Sequence, residues 1–70
     1  MSLNKAVSQK EYIIKKINID DEALNTFLFS IGLYAGEPIT IINHTHSGCI
    51  IAIKDARYSI DHQLAAAIIV

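Results

Sequence analysis

Apolar and polar positions change period several times along this chain. From Glu11 to Ile19 they follow a strand-like alternation. Ile13, Ile17 and Ile19 share one face with Lys15 as the odd member, and Lys16 and Asn18 fall on the other. The period then lengthens. Ala23, Leu24, Phe27, Leu28 and Ile31 recur at helical spacing, which predicts an amphipathic helix over about 21–31. Asp20 reads as its N-cap, with Asp21 and Glu22 facing the positive end of the helix dipole. Gly32 reads as the residue just past its end, free to take positive φ, with Leu33 folding back onto the last turn.

Beyond the turn Ala35–Pro38 the alternation returns in short stretches. Pro38 to Asn43 predicts a second strand, with Ile39 and Ile41 on one face and Thr40 and Ile42 on the other. His44 to Gly48 reads as a loop and Cys49 to Lys54 as a third strand. After the turn Asp55–Ala56 comes a fourth strand, Arg57 to Ile60. Asp61 caps a short helical turn over about 61–66, and Ala67 to Val70 closes the chain as a fifth strand. Residues 1–6 read as a loose N-terminal tail. Five short strands joined by tight turns around one helix predict a mainly β fold, a small closed or nearly closed barrel. Closure also removes the exposed edges that so many isoleucines would otherwise create.

Length limits this to one domain over 1–70, since a chain of 70 residues buries too little surface to support two cores. Its 51% hydrophobic content is enough for one core without a staple. The single cysteine, Cys49, cannot form an intramolecular bridge and points to a reducing compartment. A net charge of −1 argues against nucleic acid as a partner, although Lys15, Lys16, Lys54 and Arg57 would revive that reading if they lined one face. The cations gather early: Lys5, Lys10, Lys15 and Lys16 precede the acidic run, with Glu11 as the only acid among them. No apolar run approaches the roughly 20 residues a membrane-spanning helix needs, and no signal peptide is visible. The pattern predicts a soluble chain without direct membrane insertion.

Candidate chemistry is sparse. Nothing pairs a nucleophile with a base, and Gly32, Gly36 and Gly48 are too scattered for a phosphate loop, so the chain reads as a non-enzyme that requires no cofactor. His44 and His46 would leave one face of an extended segment, with Cys49 three residues on and His62 approaching from another junction. Imidazole and thiolate suit zinc or ferrous iron, so these residues are the metal-ligand candidates. For partner binding the candidates are Phe29, off the apolar stripe of its helix, with Leu33 and Tyr34 on the following turn. An exposed edge strand that pairs two copies into a homodimer also stays open.

The run Leu28–Phe29–Ser30–Ile31–Gly32–Leu33–Tyr34–Ala35–Gly36–Glu37–Pro38–Ile39 resembles a pattern of the FeoA family (ferrous iron transport protein A). In that pattern a leucine precedes a small apolar residue, Gly-Leu, a second glycine and a strand. The segment Arg57 to Val70 resembles the family's second hallmark, with Ala65 or Ala66 as the alanine of a short helical turn and Ile68 and Val70 in the closing strand. The likeness covers residues 7–70. Ala35 stands where the family often has proline, and Asn25, Thr26 and Phe27 occupy the region where it often has arginine. The resemblance implies an SH3-like barrel that acts by binding in the cytoplasm. Its partner would be a membrane ferrous-iron permease with a GTP-binding domain, met at the inner face of the membrane. The alternative is a metal-sensing regulatory module that takes a divalent transition metal through the histidine loop.

Overall fold

The computed structural model describes residues 1–70. A single 3-10 turn, Leu3–Lys5, is followed by β1 (Glu11–Ile13), β2 (Lys16–Ile17), α1 (Glu22–Ser30), β3 (Pro38–His44), β4 (Gly48–Ile53), β5 (Ala56–Asp61), α2 (His62–Ala67) and β6 (Ile68–Ile69). The strands form an antiparallel four-stranded sheet in the order β1-β3-β4-β5 and a two-stranded sheet, β2-β6. The architecture is mainly β, as the pattern predicts, with six strands in place of five.

The extra strand comes from a break in the first one. β1 pairs with β3 through Ile13 and Pro38, and β2 pairs with β6 through Lys16 and Ile69. Between them the chain passes from one sheet to the other. Ile14 donates its N–H to the Glu37 carbonyl, and Lys15 donates to that of Ile69. The bend moves the apolar face: Ile14 is buried and Ile13 is exposed, the reverse of strict alternation, while Ile17 and Ile19 are half-buried. A period-two reading cannot carry a face across a bend of this kind.

Residues 1–6 are not a loose tail. Leu3 and Ala6 are in the core, and the Met1 amine and Val70 carbonyl are 3.0 Å apart. Val70 N–H returns a bond to the Met1 carbonyl, and Ser2 bridges to Ile69. The segment extends the β2-β6 pair by a further strand-like step, and Leu3 supplies an apolar side chain that the small core needs.

β3 and β4 carry a bulge between Ile41 and Asn43. It turns Asn43 outward, where period two would have sent it inward after Ile39 and Ile41. Gln9, at φ +67, captures the bulge, donating from its backbone to the Ile41 carbonyl and from its side chain to that of Ile42. Gly48 opens β4 opposite Asp61. A Cβ there would lie 1.9 Å from the Ile60 carbonyl oxygen, so only glycine lets the two backbones approach.

The core is aliphatic. Ile39 and Ile41 of β3, Ile51 and Ile53 of β4, Ile68 of β6, Leu28 of α1 and Leu33 after it are all buried, and so is Cys49. Burying a side chain of this size stabilises the fold by roughly 1.5–3 kcal/mol each.

Candidate functional site

α1 is capped as a helix should be, one residue later than its acids suggest. Asp21, not Asp20, is the N-cap, and its carboxylate accepts from the Leu24 N–H at 3.0 Å. At the other end Gly32 adopts φ +92. Leu33 N–H bonds back to Leu28 at 2.8 Å and Gly32 N–H to Phe29 at 3.1 Å, a Schellman closure that buries Leu33.

What α1 does with its apolar stripe departs from expectation. Leu28 is buried and Ile31 half-buried, but Ala23, Leu24 and Phe27 are exposed, Phe27 to 56%. Leu24, Phe27, Leu28 and Ile31 form one wall of an open groove of 770 Å³. Tyr58 and Ile60 of β5, with Leu64 and Ala67 of α2, line it from the other side, and Ile19, Leu33 and Ile51 also reach it. The helix stands away from the barrel, and the gap is apolar. Asp61 is the one charged residue in the lining, and its carboxylate caps α2 by accepting from the Leu64 N–H at 2.8 Å.

The three partner-binding candidates part company. Phe29 is 64% exposed and Tyr34 half-buried, with ring centroids 4.6 Å apart and planes tilted by 32°. Leu33 is 1% exposed; the Schellman closure turns it into the core, and it meets the surface only where it lines the groove. Tyr34 belongs to a surface chain that ties the helix end to the β4–β5 turn. Lys54 pairs with Glu37 and lies 5.9 Å over the Tyr34 ring, and its stem covers Gly32 closely enough that a Cβ there would sit 2.8 Å from its Cε. Hydrogen bonding from Lys54, and then from Tyr34, holds the Glu37 carboxyl below the ordinary range. Hydrogen bonding to Glu37 pushes both the Tyr34 phenol and the Lys54 ammonium above theirs.

The histidine loop does not assemble as a metal centre. No three His, Cys, Asp or Glu side chains come together anywhere in the chain. Cys49 is buried, and loss of solvation pushes its thiol pKa up, away from the thiolate a metal would need. His44 Nε2 lies 2.9 Å from the Ala6 carbonyl, so that ring ties the loop to the N-terminal segment. His62 Nε2 lies 3.1 Å from the His46 carbonyl and its Nδ1 3.4 Å from Asn4 Oδ1, which makes His62 a structural clasp.

The sequence profile of the FeoA domain matches residues 1–70, the whole chain. The chain belongs to the FeoA domain family. No curated protein sequence matches it. Among solved structures, this FeoA domain is similar to iron(II) transport protein A from Clostridium thermocellum, with a TM-score of 0.82 and 24% identity. That superposition covers 97% of this chain and 43% of the other, so the chain spans less than half the length of that relative. It is also similar to FeoA protein from Chlorobium tepidum, with a TM-score of 0.85 and 14% identity over 99% of this chain and 67% of that one. These likenesses give the fold, which is SH3-like. The groove residues Leu24, Phe27, Ile60 and Leu64 escaped sequence reasoning because apolar residues at helical or strand period read as core. A signal was present: with Phe29, this nine-residue helix is apolar on more sides than one contact face can use.

Proposed function

We propose that this FeoA domain serves ferrous iron uptake as a cytoplasmic accessory module, binding a membrane iron permease through the groove between α1 and β5–α2 without catalysing a reaction. The observation that supports this is Phe27, a large aromatic left exposed in the wall of an apolar groove on a protein of only 70 residues. Small domains rarely leave such side chains uncovered unless a partner takes them. Membership of the family supplies the iron-transport setting. No helix is long and apolar enough to cross a membrane, so in this reading the permease supplies the transmembrane part.

The metal-sensing alternative has weaker support, because the His44 ring meets the Ala6 carbonyl, Cys49 is buried, and no three side chains of ligand type come together. A pull-down of the metal-free protein against the soluble GTP-binding domain of the cognate permease, with and without ferrous iron, tests both readings. Binding that is independent of iron and lost in Phe27→Ala is the expected result. Binding that requires iron, or that ignores Phe27, would move the interaction away from the groove.

A further inference from the structure

β5 is the last strand of its sheet, so one of its edges has no partner. The hydrogen bonds at its far end show which groups lie along that edge. His62 N–H bonds the Ser47 carbonyl, while the Gly48 carbonyl turns the other way, to Thr45 N–H on the β3 side. Bonded positions in an antiparallel pair recur at every second residue, which places Cys49–Ile60, Ile51–Tyr58 and Ile53–Ala56 in the bonded set. Arg57 and Ser59 therefore point both N–H and C=O away from β4, and Asp61 points its N–H the same way. No other backbone group in the chain bonds them.

That free edge opens into the groove. Tyr58, Ser59, Ile60 and Asp61 line it in succession, whereas a strand seen face-on would bring only every second residue to it. Leu24, Phe27, Leu28 and Ile31 of α1 stand across from them. One wall thus offers main-chain bonds and the other apolar side chains. The charge around the groove is of one sign. Asp61 lines it, and the exposed Asp20, Asp21 and Glu22 lie between the lining residues Ile19 and Leu24. No lysine or arginine lines it, and Lys54 is paired with Glu37.

We propose that the occupant is an extended segment of the permease that adds to β5 as a further strand and alternates apolar residues with lysine or arginine. This rests on the groove reading above and states how the groove is used. A strand returns the bonds that Arg57 and Ser59 offer, while every second side chain turns towards α1. A helix has its own main chain already paired, so it would leave those groups without partners in a dry contact. Basic residues on the segment complement the acidic border. A second copy of the chain would bring its own sheet behind its β5, into the space that α1 occupies across the groove.

The soluble GTP-binding domain of the cognate permease is the probe, with amide exchange of the full chain followed by NMR. On its addition the Arg57 and Ser59 amides are expected to slow at least about tenfold, while those of Tyr58 and Ile60, already bonded to β4, change less. Ser59→Pro removes an outward N–H at an edge position that tolerates proline, and is expected to weaken binding at least about tenfold. Asp20→Lys is expected to weaken it about two- to fivefold. Should Ser59→Pro not fold, the exchange pattern of the parent decides alone. Binding that Phe27→Ala abolishes but that leaves the Arg57 and Ser59 amides in fast exchange would overturn the added strand and leave the groove reading standing. Tighter binding by Asp20→Lys would overturn the basic character of the segment. No binding, or binding indifferent to Phe27, would overturn both readings. The same amides slowed in the chain alone, with a dimer seen by sedimentation, would give the edge to a second copy instead.

Discussion

β4 and α1 are both rich in large apolar residues, and they use them in opposite ways. In β4, Ile51 and Ile53 are sunk to 1% exposure or less, held between β3 and β5. In α1 only Leu28 is buried, while Leu24, Phe27 and Phe29 face outward. The strand sits at the centre of a sheet, where both edges are paired. The helix meets the barrel along one narrow line, then through the surface chain from Phe29 to Tyr34, Lys54 and Glu37. Apolar content alone therefore does not say whether a segment stabilises the fold or waits for a partner. The number of sides on which the fold meets the segment does.

The sharpest way to break this contrast is at the glycine that brings β4 against β5. Gly48→Ala places a Cβ against backbone atoms, which cannot swing aside as a side chain could. The expected loss exceeds the 1–3 kcal/mol usual for overpacking and leaves little folded protein, as a denaturant melt would show. Ile51→Ala comes next. It opens a cavity in a fully buried position and is expected to cost about 3–4 kcal/mol in a urea titration, with the fold retained. Phe27→Ala removes a larger side chain, yet its stability effect is expected to stay within about 0.5 kcal/mol, because the ring is mostly in solvent already. If Phe27→Ala destabilised the protein as much as Ile51→Ala, the helix would be core and the groove reading would fail.

The smallest effect concerns the surface chain that ties the two regions. The folded protein holds the Glu37 carboxyl below its ordinary value, so the interaction favours folding above the unfolded pKa and is lost as pH falls through the folded one. Glu37→Gln is expected to lower stability slightly at neutral pH, where the interaction is present, and to leave the acid end almost unchanged, so that the fall in stability towards acid is shallower in the variant. Thermal melts across the acid range, parent against variant, would read the difference.

Much of the barrel was legible before any coordinates. β4, β5 and β3 as far as Ile41 follow their alternation, Asp61 caps α2, and Gly32 takes the positive φ its place after a helix requires. Each of these is decided by a few neighbouring residues. What escaped was decided by residues far apart in the chain. The break at Ile14 depends on which sheet each half of the first strand joins, and the burial of Leu3 on a closing strand at the opposite end. Gly48 reads as a loop residue until β5 is laid beside it. Phe27 looks like core because its spacing is right, and only the distance at which the helix stands exposes it. His44 and His46 have the spacing of ligands, but the carbonyls of Ala6 and His46 occupy the imidazoles of His44 and His62 in other work.

The bridge from Ser2 to Ile69, with Lys16 on the far side of the same strand, sets an order on how the molecule can be made. Met1 and Ser2 find their partners in Val70 and Ile69, across the whole length of the domain. Until Ile68 and Ile69 emerge, Leu3 and Ile14 have no closed core to enter, and the half-made chain carries exposed isoleucines with nothing to cover them. Folding of the domain is then a single event that waits for Ile68 and Ile69, and the segment made before them is the part most in need of a chaperone in the interval.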